Sequence, residues 1–339
     1  MKSIYIIVIS ILIIVLCVPS VIVIAFSTNQ EIIKTSDISV SEVSSTQTKT
    51  NNENITVLVY RMSNKTIEKV DLEEYVKGVL AAEMPASYDL EALKAQAIGA
   101  RTYIIKLLMT ENKIDLPQGA DITDSTSQQV YKNQDELKKM WKNDNYEKYI
   151  KKITQAVNET EGLVMTFNKE FIDASFFAVS NGYTENSEDY WTTTLPYLRS
   201  VPSPWDVNSP DFIKTKIFSF NEVKSKLGVD LNSRIDVQRT SSNRISLITI
   251  NEKKFTGVEI REALGLRSTD FDFKIVEDNV QVTTKGYGHG VGMSQYGANS
   301  MAKEGKNFKE ILEYYYKGIQ IEDVKLSQDY NKLVVQRES

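Results

Sequence analysis

Apolar and polar positions along the chain fall into three regimes. The first runs from Ile4 to Phe26, twenty-three residues without a charge. As a helix at about 1.5 Å per residue it would span roughly 34 Å, enough for a hydrocarbon core of about 30 Å. The run exceeds the apolar core of a secretory leader, and no small-x-small cleavage site follows it cleanly. Lys2 precedes it, and Glu31 and Lys34 follow. The positive-inside bias therefore leaves a short cytoplasmic end and sends the rest of the chain outside. The second regime is 27–54, where 15 of 28 positions are Ser, Thr or Asn and none is Gly, Pro or aromatic. Such a stretch buries too little apolar surface to fold and reads as a flexible tether.

The third regime, 55–339, is periodic and reads as an extracytoplasmic domain. Ile55–Arg61 and Thr66–Val70 alternate around Ser63-Asn64-Lys65, a hairpin pattern. Asp71 is placed to cap a helix running to Met84, with Leu72, Tyr75, Val76, Val79 and Leu80 at helical spacing, and Pro85 stops it. Asp89 caps a second, Ala-rich helix from Leu90 to about Thr110. A further helix reaches Val157, and a hairpin is expected from Leu163–Phe167 with Glu170–Val179. Ser180–Trp191 reads as a polar, aromatic-bearing loop, and 192–210 holds four prolines. Strands are expected over 234–255 and Phe271–Thr284. Between them Thr256 and Glu259 form a capping box for a helix ending at Gly265. After the glycine-rich 285–292 come helices Ser294–Glu304 and Phe308–Tyr316. The class is α+β, an antiparallel-leaning sheet core with helix pairs, with accessory lobes expected near 111–157 and 200–270.

Composition narrows the chemistry. Apolar residues are 41% and charged residues 25%, enough for a real core. Forty basic residues against 45 acidic leave −5, which gives no electrostatic case for nucleic acid. One Cys and one His exclude an internal disulfide and any zinc site built from several such ligands. No cofactor motif is present; the glycine-rich Gly286–Gly292 lacks the Gly-Lys-Ser/Thr ending of a nucleotide loop.

Four places offer chemistry. Glu83 sits at a helix end among Ala81, Ala82, Met84 and Pro85, a weakly hydrated setting that raises a carboxyl pKa, as a general acid near neutrality requires. Lys94 and Arg101 lie seven apart, on one helix face among alanines, a cationic stripe suited to an anionic sugar substituent. Ser180 and Asn181, with Tyr183, Tyr197 and Arg199, combine polar and aromatic groups on loops, a sugar-binding composition. His289 lies in the glycine-rich segment as a structural or cleft-lining residue; no nucleophile elbow accompanies it.

Taken together, the blocks Leu72–Pro85, Glu91–Tyr103, Ser180–Gly182 and Gly288–Ala298 resemble the stage II sporulation protein D family, which includes amidase enhancers. The resemblance implies a membrane-anchored lytic transglycosylase of sporulation. It would cut peptidoglycan glycan strands lacking stem peptides, working in the septal space with a cell-wall amidase and a membrane partner of the engulfment complex. It implies Glu83 as the catalytic acid and carries over Lys94, Arg101, Tyr197 and Arg199. Ser180, Asn181, His289 and Gln295 complete the expected substrate-binding set. Two other readings stay open: a water-using glycosidase with Glu185, Glu188 or Asp189 as second carboxylate, and a non-catalytic glycan-binding scaffold that stimulates the amidase. Some family members carry a His/Cys zinc site near the segment equivalent to 115–130. This chain has neither residue there, and Asp121 and Asp124 make only a weak case for another ion.

Overall fold

The first hairpin forms as its alternation dictates. β1 (Thr56–Arg61) pairs antiparallel with β2 (Thr66–Asp71), and Val57 and Val59 point into the core. The chain then turns directly into helix α1 (Leu72–Glu83). The Asp71 carboxylate caps it by accepting from the backbone N–H groups of Glu73 and Glu74. Asp89 does the same for α2 (Leu90–Met109) through the Glu91 N–H. These coordinates are a computed structural model, which describes residues 55–110, 116–230, 235–277, 279–326, 330 and 333–334, all within the unit Asn52–Ser339. The expected membrane span and tether lie outside the described residues. Among the described residues no helix is long and apolar enough to cross a membrane.

Helix α2 is the axis of the molecule. Leu93, Ala97, Ala100, Ile104, Ile105 and Leu108 face one core, while Ala92, Ala95 and Ile98 face a second. The helix thus buries two faces, and its alanines let neighbours come close. The first core adds α1, the β1–β2 hairpin and α3 (Gln134–Asn158), two helical pieces joined at Lys142 with φ 52°. Although α3 is polar overall, Leu137, Tyr146, Ile153, Ala156 and Val157 seat it against α1 and α2. The expected lobe at 111–157 is thus corrected: α3 belongs to the central core. Tyr131 lies over Gly78 of α1, where an added Cβ would come within 2.4 Å of its ring, so this helix-interior glycine gives the ring room.

The second core gathers β4 (Leu163–Phe167) and β6 (Phe176–Phe177), then α4 (Ser187–Trp191), a short helix inside the segment expected to be loop, while β5 (Glu170–Phe171) turns Phe171 toward the first core. A third core holds a lobe of its own: β7 (Ile213–Ser219), α5 (Phe220–Leu227), β8 (Ile235–Arg239), β9 (Ile245–Ile250), β10 (Lys253–Thr256), α6 (Gly257–Leu264), β11 (Asp270–Val276) and β12 (Asn279–Lys285). Its two sheets run β11-β12-β7 and β10-β9-β8. Thr256 and Glu259 form the expected capping box, and Gly265 takes the left-handed cap at φ 59°. The chain closes with β13 (Met293–Ser294), α7 (Gln295–Lys303), α8 (Phe308–Tyr315) and β14 (Gln320–Asp323).

The class is α+β, but the sheets are small and peripheral rather than one central layer. Most pairs are antiparallel; β1 with β3 (Ile122–Thr123) and β6 with β13 run parallel. β6 therefore does not complete the expected hairpin with β4. Its partner is residue 293, more than a hundred positions downstream, which brings the glycine-rich segment onto the body.

Candidate functional site

Glu83 is the last residue of α1, and Met84 beyond it is extended and fully buried. The side chain is partly buried. One Oε accepts from the backbone N–H of Val130 at 2.7 Å. Burial lifts its pKa above the ordinary carboxyl value, while the Val130 N–H pulls the other way. The backbone around the acid is pinned. Gln295 donates from Nε2 to the Glu83 carbonyl at 3.2 Å and to Gln96 Oε1 at 3.3 Å. Gln295 thus stands behind the acid, holding the end of α1 to α2, with little of its own side chain exposed.

The segment opposite α1 is laid down by a second short network. Tyr75 donates its hydroxyl to Gln129 Oε1 at 3.0 Å, Gln129 Nε2 reaches the Ala100 carbonyl, and Tyr131 stacks on Tyr75 at 5.4 Å. Those contacts deliver the Val130 N–H to the acid. The sequence offered no signal for Val130, since the group is backbone. A buried amide on the Ala-rich helix was the available hint for Gln96.

The cationic stripe is corrected. Lys94 and Arg101 do share a side of α2, but both meet carboxylates of the fold. Arg101 is wholly buried, and its fork is filled by Glu73 at 2.8 and 2.6 Å, with Nη1 donating to the Leu163 carbonyl. Lys94 bridges Glu91 and Glu159, each at 2.6 Å. Burial would lower its pKa, but the two carboxylates outweigh that and raise it. An arginine with no exposed surface cannot meet a glycan carboxylate.

Ser180 and Asn181 are likewise occupied. Ser180 is buried, and its N–H donates to Asp206, a buried carboxylate that also accepts from Ser203 and Ser294 at 2.5 Å each. Asn181 Nδ2 donates to the Ser242 carbonyl and to Asp270 at 2.7 and 2.8 Å. Next to it the buried Glu185 accepts from Thr240 and Ser242 hydroxyls at 2.7 and 2.6 Å. Asn181 and Glu185 join the body to the third-core lobe, whereas Ser180 and Asp206 tie segments within the body. Glu185, Asp270 and Arg244, which donates to the Tyr183 carbonyl, were not foreseen as that joint.

Tyr197 is buried apart from this set. Its hydroxyl accepts from the Asp173 N–H at 3.0 Å, and burial pushes its pKa up to about 12. It lines a cleft of about 460 Å³ with Phe167, Phe171, Lys106 and Asp173. Glu83 does not line that cleft. Arg199 is paired with Glu188, whose pKa the guanidinium draws down to about 2. Asp189 accepts from the Asn186 amide. Of the second carboxylates considered, then, Glu185 is saturated within the joint and Glu188 is tied to Arg199. His289 packs among Phe177, Tyr190 and Trp191, and its Nδ1 accepts from the Val291 N–H at 3.1 Å. Burial lowers its pKa from 6.5 to about 4, so it is neutral at pH 7. Among the described residues no cluster of His, Cys, Asp and Glu suits a metal ion.

Comparisons with known proteins agree with these blocks. Residues 60–167 match the family model described as SpoIID, stage II sporulation protein. The chain is 50% identical over 273 residues to the stage II sporulation protein D of Bacillus subtilis (strain 168), covering 79% of each chain. It is 49% identical over 274 residues to the protein of that name from Bacillus amyloliquefaciens, again 79% of each. An amidase enhancer of Bacillus subtilis is 30% identical over 301 residues, 72% of this chain and 39% of that one.

Proposed function

The chain belongs to the stage II sporulation protein D family, and on that premise we propose that it is a peptidoglycan lytic transglycosylase. Its substrate would be glycan strands stripped of stem peptides. The observation that carries the reading is Glu83: a carboxyl at a helix end whose pKa burial raises, with one backbone donor and, among the described residues, no cation upon it. In its protonated form Glu83 donates to the glycosidic oxygen, and the bond from that oxygen to the muramic anomeric carbon breaks. The carboxylate left behind then takes the proton of the muramic 6-hydroxyl as its oxygen attacks the same carbon. The product is a 1,6-anhydro end, Glu83 is protonated again, and no water is consumed. One carboxyl serves both steps, which fits the commitment of Glu185 and Glu188 elsewhere.

Digestion of peptide-free glycan strands, read by mass spectrometry, tests this. Wild type should release anhydro ends, one water lighter than reducing ends, and Glu83→Gln should release neither. Reducing ends, or cleavage surviving in the Gln variant, would refute it. The relative named amidase enhancer supports a second reading, a glycan-binding scaffold that stimulates an amidase. Under it Glu83→Gln retains full stimulation. We also propose that the chain is held in the cell membrane by residues 4–26, its body facing the septal space. Loss of membrane sedimentation on deleting that run is the expected result.

A further inference from the structure

Trp191 closes helix α4 and is 38% exposed. Its ring rests on two others. Tyr190 meets it edge-on at 5.5 Å and 86°, and His289 lies against it at 5.2 Å and 46°. Tyr190 is fixed in turn by Arg261, which donates to its hydroxyl at 2.8 Å, and Phe177 backs His289 at 5.7 Å. The indole is therefore held in place by two partly buried rings while over a third of it faces water. A ring held in a fixed orientation with an open face offers a stacking platform at little entropic cost.

The next residue carries the second, independent observation. Thr192 sits at φ 66°, ψ −10°, the left-handed cap position that glycine or asparagine ordinarily fills. A β-branched residue there is strained. Its side chain is not buried, so packing does not repay the strain; Thr192, Thr193 and Thr194 are all exposed. Strain kept at an exposed position, beside an exposed aromatic, is the pattern of a binding site. The turn sets three hydroxyls, each both donor and acceptor, directly after the indole. A pyranose ring matches this pairing: its C–H face stacks on the ring, and its hydroxyls and acetamido group exchange hydrogen bonds with the threonines. The nearby cations are engaged, Arg199 by Glu188 and Arg261 by the Tyr190 hydroxyl, which favours an uncharged ring.

We propose that Trp191, with Thr192, Thr193 and Thr194, forms a stacking subsite for an uncharged N-acetylhexosamine ring of a glycan strand. The inference rests on the glycan-strand reading above and adds to it a subsite separate from the acid. Gln295 follows His289 by six positions, which limits their Cα separation to about 22 Å. Gln295 touches the Glu83 carbonyl. The platform and the end of the acid's helix are thus tied through one short segment.

The test uses the full chain carrying Glu83→Gln, which leaves strands uncut, titrated with peptide-free glycan strands by calorimetry. Adding Trp191→Ala should weaken binding about tenfold, and Trp191→Tyr should restore most of it. In the active chain Trp191→Ala should raise KM with kcat nearly unchanged. Circular dichroism and thermal melting show whether the Ala variant is folded; if it is not, Thr193→Val and Thr194→Val, which keep the shape and remove the hydroxyls, should weaken binding severalfold. Equal affinity with and without the indole, or no binding of strands by the parent, would overturn the subsite. Failure of wild type to make anhydro ends, with the Trp191 effect on binding intact, would instead overturn the transglycosylase reading and leave the subsite standing.

Discussion

Two polar regions of this protein look alike in sequence and differ in how fully their groups are paired. At the joint with the third-core lobe and just beside it, Ser180, Asn181, Glu185, Asp206 and Asp270 each meet donors or acceptors from segments far away in the chain. At the end of α1, Glu83 has one backbone N–H and, among the described residues, no counter-ion. A saturated network is rigid and inert, and each missing member is costly. A carboxyl left underpaired in a poorly hydrated corner holds its proton more tightly and can pass it on. Polar character was common to both regions; incomplete satisfaction separates the reactive one.

That contrast can be broken most sharply at the acid. Glu83→Gln keeps an acceptor for the Val130 N–H and removes the proton, so cleavage should fall by roughly a thousandfold while the melting temperature barely moves. Because burial raises the Glu83 pKa, the wild-type rate should hold below that folded pKa and decline as pH rises through it, at a point above the ordinary 4.5. A rate that climbs with pH across that range would contradict the assignment.

The opposite outcome is expected of Arg101, the paired counterpart. Arg101→Met strands Glu73 beside a buried face and should cost about 3 kcal/mol in urea unfolding. Glycan affinity of the folded fraction should stay unchanged. A loss of affinity without a loss of stability would restore Arg101 to the site.

His289 gives the next largest effect. Its folded pKa of about 4 lies below the unfolded 6.5, so between these values the unfolded chain binds more protons. Stability is therefore full above pH 6.5 and is lost as pH falls toward 4, by on the order of 2 to 3 kcal/mol. Unfolding midpoints across that window, compared with those of His289→Phe, check it: the variant should lose this part of the slope.

The smallest effect belongs to Gln295, which touches only the backbone of the acid. Gln295→Ala removes about 1 kcal/mol of hydrogen bonding and should slow cleavage about fivefold, with KM little changed. Gln295→Glu, which cannot donate to the Glu83 carbonyl when ionised, should not recover the rate.

Much of this was legible before any coordinates. Asp71 and Asp89 announce the starts of α1 and α2, Pro85 marks the break between them, and Thr256 with Glu259 marks α6. Local chemistry decides these features, because a cap and its N–H groups lie within three residues. Helix α5 carried the same kind of signal in Ser219 and Glu222, with Phe220, Val223 and Leu227 at helical spacing, in a stretch left unassigned. The setting of Glu83 was also readable, since its apolar neighbours are adjacent in the chain.

The amino-acid order alone determined where the principal helices begin, which faces are apolar, and that an acid stands at a helix end between Ala82 and Met84. The folded arrangement decided which charged and polar groups are spent. Arg101 is consumed by Glu73, 28 residues away, and Asn181 by Asp270, 89 residues away. Pairing at such separations depends on how helices and loops pack in space, and no periodicity or spacing encodes it. For that reason the same residue types formed a joint in one place and left a proton available in another.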